Sequence, residues 1–148
     1  MAYCTSADVT ALTGLSPSTS TEPTNLELTG IIEQISGMIQ GSLNSIGITT
    51  VTSTSLSDML RLPCSQGSAG MYYMRKGKNE NDFRNGDWLY GKFEAFLDKL
   101  IKDSAYRNML LQIENTGGYT ITMSSPVTDG TFNSSDYDDK YINEEFTI

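Results

Sequence analysis

The chain contains no histidine. Without imidazole there is no Ser-His-Asp or Cys-His catalysis, and no zinc site that needs imidazole ligands. There are two cysteines, Cys4 and Cys64. They are too few for a four-sulfur metal site and form no C-x-x-C pair, so free thiols of a cytoplasmic protein are expected. No apolar run approaches the roughly 18 residues of a membrane span, so no membrane partner is expected. The opening residues, Met1 to Asp8, are polar and lack the basic and apolar regions of a signal peptide. The sequon Asn133-Ser134-Ser135 therefore has no secretory context. Positive charge is scarce as well, with 10 basic residues against 18 acidic and a formal net charge of −8. A protein whose main task is neutralising phosphates needs clustered Lys and Arg, and this balance argues against one. Hydrophobic residues make up only 38%, so part of the chain is expected to lie outside the core or against a partner.

What is present has the periodicity of helices. Thr5-Ser6-Ala7-Asp8 has the form of a capping box, Val9 and Leu12 follow three apart, and Gly14 is placed to stop the helix. A Ser/Thr/Pro-rich linker follows. Thr24-Asn25-Leu26-Glu27 is a second capping box. It opens a long helix whose Leu28, Ile31, Ile32, Ile35, Met38, Ile39, Leu43 and Ile46 draw one apolar stripe, with Gly47 as the stop. Gly37 and Gly41 inside it either weaken the helix or admit another backbone.

Ile48 to Ser57 has weak strand character. A third helix is expected from Ser55 or Ser57, with Pro63 kinking or ending it. Arg75 to Asp82 reads as a polar loop. A further helix follows Asn85-Gly86, with Trp88, Leu89, Phe93, Phe96, Leu97, Leu100 and Ile101 as its apolar face and Trp88 in the core. Met109, Leu110 and Ile113 either continue that helix or form another after Asp103-Ser104, up to Gly117-Gly118.

From residue 117 the character changes. One basic residue, Lys140, faces six acids (Asp129, Asp136, Asp138, Asp139, Glu144 and Glu145), a net of −5 that leaves −3 on the first 116 residues. Tyr119, Ile121 and Met123 alternate with threonines as a strand would, and Tyr141 to Ile148 carries aromatic and β-branched residues among acids. The expected organisation is a mostly α, small helical bundle (1–116) around one long amphipathic helix. An acidic, extended C-terminal tail (117–148) would form a short β-hairpin or serve as an arm.

Chemical motifs are few. Gly86-Asp87-Trp88-Leu89-Tyr90-Gly91-Lys92 matches G-x-x-x-x-G-K. However, Phe93 stands where a phosphate loop needs Ser or Thr for magnesium, and no strand leads into it. Asp136-Tyr137-Asp138-Asp139 lacks the spacing, glycine and glutamate of a calcium loop. Glu27, Glu33, Glu94 and Asp98 fall on helices patterned for packing, as solvent-facing charges. No catalytic, cofactor-binding or metal-ligating residue is assigned, and no cofactor is expected. Arg75, Lys76 and Lys78 form the one positive cluster, either a solvated loop or a contact for an acidic partner or passing DNA.

The order of elements resembles the head–tail connector (adaptor, or head-completion) proteins of long-tailed bacteriophages. The resemblance rests on residues 3 to 112. Tyr3 precedes a Thr5-x-x-Asp8-Val9 helix that closes on Leu12-Thr13-Gly14, and a long amphipathic helix from Leu26 to Ile46 follows the gap. The region around Pro63 departs from the Ala-rich helix of that family, and the tail from Gly117 does not align with it. The resemblance implies a structural, non-enzymatic virion protein at the neck, assembled in the host bacterial cytoplasm. It further implies a homo-oligomeric ring, twelve-fold in the virion, that joins the portal to the next neck or tail-completion protein and extends the DNA channel without sequence-specific binding. The acidic balance suits a conduit that must not grip phosphates. Tyr119, Ile121 and Met123, or Tyr141, Phe146 and Ile148, would then add a strand to a partner's sheet edge. A helical regulatory or inhibitor-like module that binds one protein partner is the alternative.

Overall fold

The computed structural model describes residues 1–117, which fold into five helices. There is no strand among them. α1 spans Ser6–Thr13, α2 Asn25–Ser45, α3 Thr54–Lys76, α4 Glu80–Lys102 and α5 Ser104–Thr116. The chain is a mostly α bundle. The long helix expected from Leu26 is α2, and α3 and α4 are of similar length.

Both capping boxes form. The Asp8 amide donates to Thr5 Oγ1 at 3.3 Å and the Thr5 amide to Asp8 Oδ2 at 2.7 Å, so two otherwise orphaned donors are satisfied at the start of α1. Thr24 and Glu27 do the same for α2. Gly14 ends α1 in the left-handed conformation, with its N–H on Thr10 O at 2.7 Å. The short α1 is pinned by Val9, which is buried, and by Tyr73 of α3, whose hydroxyl donates to Thr13 O at 3.2 Å. On α2, Leu28, Ile31, Ile32, Ile35, Ile39 and Leu43 form the buried stripe, while Met38 lies at its margin.

Three segments differ from the sequence expectations. Ile48 to Ser57 is no strand. Ile48 and Val51 are buried in the core, and Ser53 caps α3 through the Leu56 amide. The backbone donors of this stretch find a carboxylate instead of a neighbouring strand. Glu114 of α5 accepts the Thr52 amide at 2.6 Å, the Ser53 amide at 3.1 Å and the Thr52 hydroxyl. Secondly, of the two alternatives at Pro63, an end to the helix is ruled out: α3 starts at Thr54 and runs through Pro63 as one helix. A proline inside a helix costs about 3 kcal/mol. Here Leu56 and Leu60 are buried before it and Cys64, Ala69 and Tyr72 after it, so packing on both sides holds the helix together.

Thirdly, α4 begins at Glu80, not after Asn85-Gly86, because Asn79 caps it by accepting the Asp82 amide at 2.8 Å. The supposed polar loop shrinks to the turn at Gly77 and Lys78. Gly77 adopts φ 30° with its N–H on Tyr73 O. Trp88 is not in the core; it is 63% exposed. The buried face of α4 is Asp82, Gly86, Leu89, Phe93 and Leu100, and both Trp88 and Ile101 lie outside it. Asp103 separates α4 from α5, ending one and capping the other through the Tyr106 amide.

α3 and α4 form the most extensive helix pair. They meet through glycine. A Cβ on Gly70 would lie 2.7 Å from Tyr90 N and 3.0 Å from Gly86 O, and one on Gly86 would lie 3.0 Å from Gly70 O. Beside them, a Cβ on Gly67 would be 2.8 Å from the Phe93 ring, which is fully buried. The two backbones are therefore in near contact where they pass. By contrast, nothing lies within 4 Å of a Cβ built on Gly37 or Gly41. No described backbone approaches α2 there, and these glycines simply weaken the helix.

Gly70→Ala should thus lower stability by about 1–3 kcal/mol, the usual range for overpacking. Gly37→Ala should raise it by about 0.5–1 kcal/mol. Urea unfolding of the two variants beside the parent checks both signs, and a neutral Gly70→Ala would refute the close crossing.

The Glu114 clamp gives a pH dependence. Burial pushes this carboxyl up, but the Thr52 hydroxyl and the Thr52 and Ser53 amides outweigh it and hold the group below its usual range. A depressed folded value means stability that is present above the unfolded pKa and lost as pH falls through the folded one. Glu114→Gln should cost about 1 kcal/mol at neutral pH and flatten the acid limb of stability against pH. An unchanged acid limb would exclude the clamp.

Candidate functional site

The candidate sites are surfaces, and they follow from what the helices leave outside. Two of the carboxylates singled out in the sequence, Glu27 and Asp98, serve local roles. Glu27 closes the α2 capping box, and its carboxyl is lowered by the Thr24 amide and hydroxyl, with the Arg75 charge adding to this. Asp98 pairs with Lys102 at 3.2 Å, one turn along α4. Gly86 to Lys92 is continuous helix, so it offers no loop of backbone amides for a phosphate. Among the described residues no group of three or more His, Cys, Asp or Glu side chains is placed to hold a metal ion.

The cluster Arg75, Lys76 and Lys78 is split by the fold. Arg75 and Lys76 occupy the last turn of α3, where positive charge suits the negative end of the helix. Lys76 Nζ stands 3.9 Å from Asp82 Oδ2, Lys78 Nζ stands 4.0 Å from Glu22 Oε2, and Arg75 acts on Glu27. Lys76 and Lys78 of the cluster thus each have an acid of the same chain within 4.0 Å, while Arg75 acts on Glu27 from further off. The proposed strand-adding residues Tyr119, Ile121, Met123, Tyr141, Phe146 and Ile148 lie outside the described residues.

Two features went unseen in the sequence. One is a set of exposed apolar side chains: Leu62 at 55%, Phe83 at 53%, Trp88 at 63% and Ile101 at 52%. Leu12 and Leu62 line a concavity between α1 and α3, beside the Asp8–Arg61 ion pair of 3.6 Å. Met74 and Phe83 line another at the α3–α4 turn. No residue lines both. Exposed apolar side chains scattered singly are normal on a protein surface, so what marks these two places is that each lines a concavity.

The other is a buried polar knot. Cys4 and Cys64 are both buried and near enough for each to act on the other's titration. Ser36 Oγ lies 3.4 Å from Cys64 Sγ, and Ser68 Oγ 3.9 Å from Cys4 Sγ. Donation to Cys64 pushes the Cys4 thiol up, and burial acts the same way, so Cys64 is the member of the pair that loses its proton first. The Tyr3 amide donates to Ser36 Oγ at 3.1 Å, and the Tyr3 hydroxyl bonds Gln40. Together these contacts anchor the N-terminal residues on α2 and α3. Only the separate capped helix and the two cysteines were visible beforehand, with nothing to say that they meet.

Both thiols, at 4% and 0% exposure, should react with a bulky aromatic disulfide reagent only as fast as the protein opens. Two equivalents released slowly in buffer and at once in denaturant would match the structure. Rapid reaction of either thiol in buffer would show the N-terminal residues to be unanchored.

No helix of the described residues is long and apolar enough to cross a membrane. No family model matches the chain, and no curated protein or solved structure matches it either.

Proposed function

We propose that this protein is a structural subunit of the neck of a tailed phage. It would assemble into a ring between the portal and the next neck or tail-completion protein, around DNA that it does not bind by sequence. The observation that carries the proposal is the pair of unlike concavities, one where Leu12 and Leu62 lie beside Asp8, Asp58 and Arg61, the other where Met74 and Phe83 lie beside Glu80, Arg84 and Asp87. A ring of identical subunits is built by a heterologous contact, in which one surface meets a different surface of the next copy. A single self-complementary patch would give a closed dimer instead.

The helix order supports the same reading. A capped helix docked through Val9, then a long amphipathic α2 and a helical pair, is the arrangement implied by the resemblance to connector proteins. The charge supports it as well. The cluster at Arg75, Lys76 and Lys78 is matched by acids of its own chain, so it would offer passing DNA little net attraction. The role is non-enzymatic. In this proposal the segment after Gly117 is the arm for a portal or neck partner.

Native mass spectrometry and electron microscopy, on the protein alone and mixed with portal rings, should reveal rings or saturable binding at the stoichiometry of the portal. Leu62→Glu should abolish assembly while leaving helix content unchanged, because Leu62 is exposed in the subunit. A strict monomer or dimer that ignores every portal would refute the proposal and favour a regulatory module with one soluble partner.

A further inference from the structure

The charges of α4 are sorted by face. Arg84, Trp88, Lys92, Ala95 and Lys99 follow at steps of four, four, three and four, so they share one outer face of the helix. All five are exposed. No acidic residue belongs to this row. Asp87, Glu94 and Asp98 sit about a quarter to a third of a turn away. The Lys92 ammonium stands 5.5 Å over the Trp88 ring, and the Lys99 ammonium 4.7 Å from the Tyr106 ring. Glu80 stands 3.8 Å from Arg84 with both side chains largely in water, Asp87 lines the same concavity as Arg84, and Asp103 the same one as Lys99. Unlike Lys76 and Lys78, Lys92 and Lys99 have no acid within 4.0 Å among the described residues. This face joins a large exposed aromatic side chain to exposed cations, two of them lying over aromatic rings, which suits a segment bearing carboxylates and aromatic rings.

We propose that the outer face of α4, centred on Trp88, is the docking surface for the chain's own acidic C-terminal segment, residues 118–148. The argument is charge complementarity and reach. That segment holds six carboxylates against Lys140, with Tyr137 and Tyr141 between its acids. The roughly 19 residues from the end of α5 to Asp136 span up to about 60 Å when extended, whereas α4 is about 35 Å long. A tether of that length also gives the segment a high effective concentration at its own α4. The proposal does not rest on the ring. If the ring assignment also holds, a docked segment keeps the arm on its own subunit until a partner displaces it.

Trp88 is the one tryptophan of the chain, so its fluorescence reports the surface directly. Acrylamide quenching would be compared between the intact chain and a full-length variant with Asp136→Asn, Asp138→Asn, Asp139→Asn, Glu144→Gln and Glu145→Gln. At low salt the intact chain should be quenched severalfold less and emit further to the blue. Molar salt should remove the protection. Arg84→Glu with Lys99→Glu should remove it too, at unchanged helix content, from the other side of the contact. Equal quenching of the intact and neutralised chains would overturn the proposal. So would protection that appears only on concentrating the protein, which assigns the face to a neighbouring copy, or only on adding duplex DNA. Ring formation is read separately from particle mass, so either idea can fail alone.

Discussion

The near contact of α3 and α4 at Gly70 and Gly86 sets the rest of the bundle. Where a pair of helices is separated by side chains, their axes lie about 8–10 Å apart. Here the carbonyl oxygen of each glycine lies 3.0 Å from where the other's Cβ would be, an approach that a side chain at either position would crowd. That approach brings Phe93 of α4 over Gly67 of α3, where Ile35 of α2 also comes close, so three helices meet at one glycine. Leu28, Ile31, Ile39 and Leu43 then complete a layer that would not close if the α3–α4 pair were wider. The short α1 and the Tyr3-Cys4 segment add little area of their own. They are held because the paired helices present Ser36, Cys64 and Ser68 at a fixed place.

The helices were largely legible in the sequence because capping and the apolar period are local signals. Thr5 with Asp8, Thr24 with Glu27, and the stripe from Leu28 to Leu43 each involve residues a turn or less apart. What stayed hidden depends on distant partners. Gly86 is one of the buried centres of α4, yet a glycine adds nothing to an apolar pattern, so the pattern was drawn through Trp88 instead. Asn79 as a cap was masked by the run of polar residues around it. The strand character of Ile48 and Val51 was a true report of burial, misread as a report of secondary structure. Pro63 could not be judged without knowing that both halves of α3 are packed.

The candidate surfaces were less legible still, and for a related reason. An exposed Leu62 or Phe83 has the same identity as a buried one, and only the fold tells them apart. The positive cluster at Arg75, Lys76 and Lys78 was easy to see, but Glu22, Glu27 and Asp82 balance it from other elements. The row on α4 was hidden by its neighbours, because acids and cations alternate along the chain and separate only when wound into a helix.

The connection between α3 and α4 has a mechanical consequence. Gly77 and Lys78 turn the chain so tightly, with Asn79 already capping α4, that the two helices leave the turn as one hairpin. Each helix has 23 residues, and where they pass there is no compressible layer of side chains between them. Such a hairpin behaves as a strut: a push at the turn is carried along its length, about 35 Å, with little absorbed by repacking. At its far end the load reaches the loop that Glu114 clamps to α5.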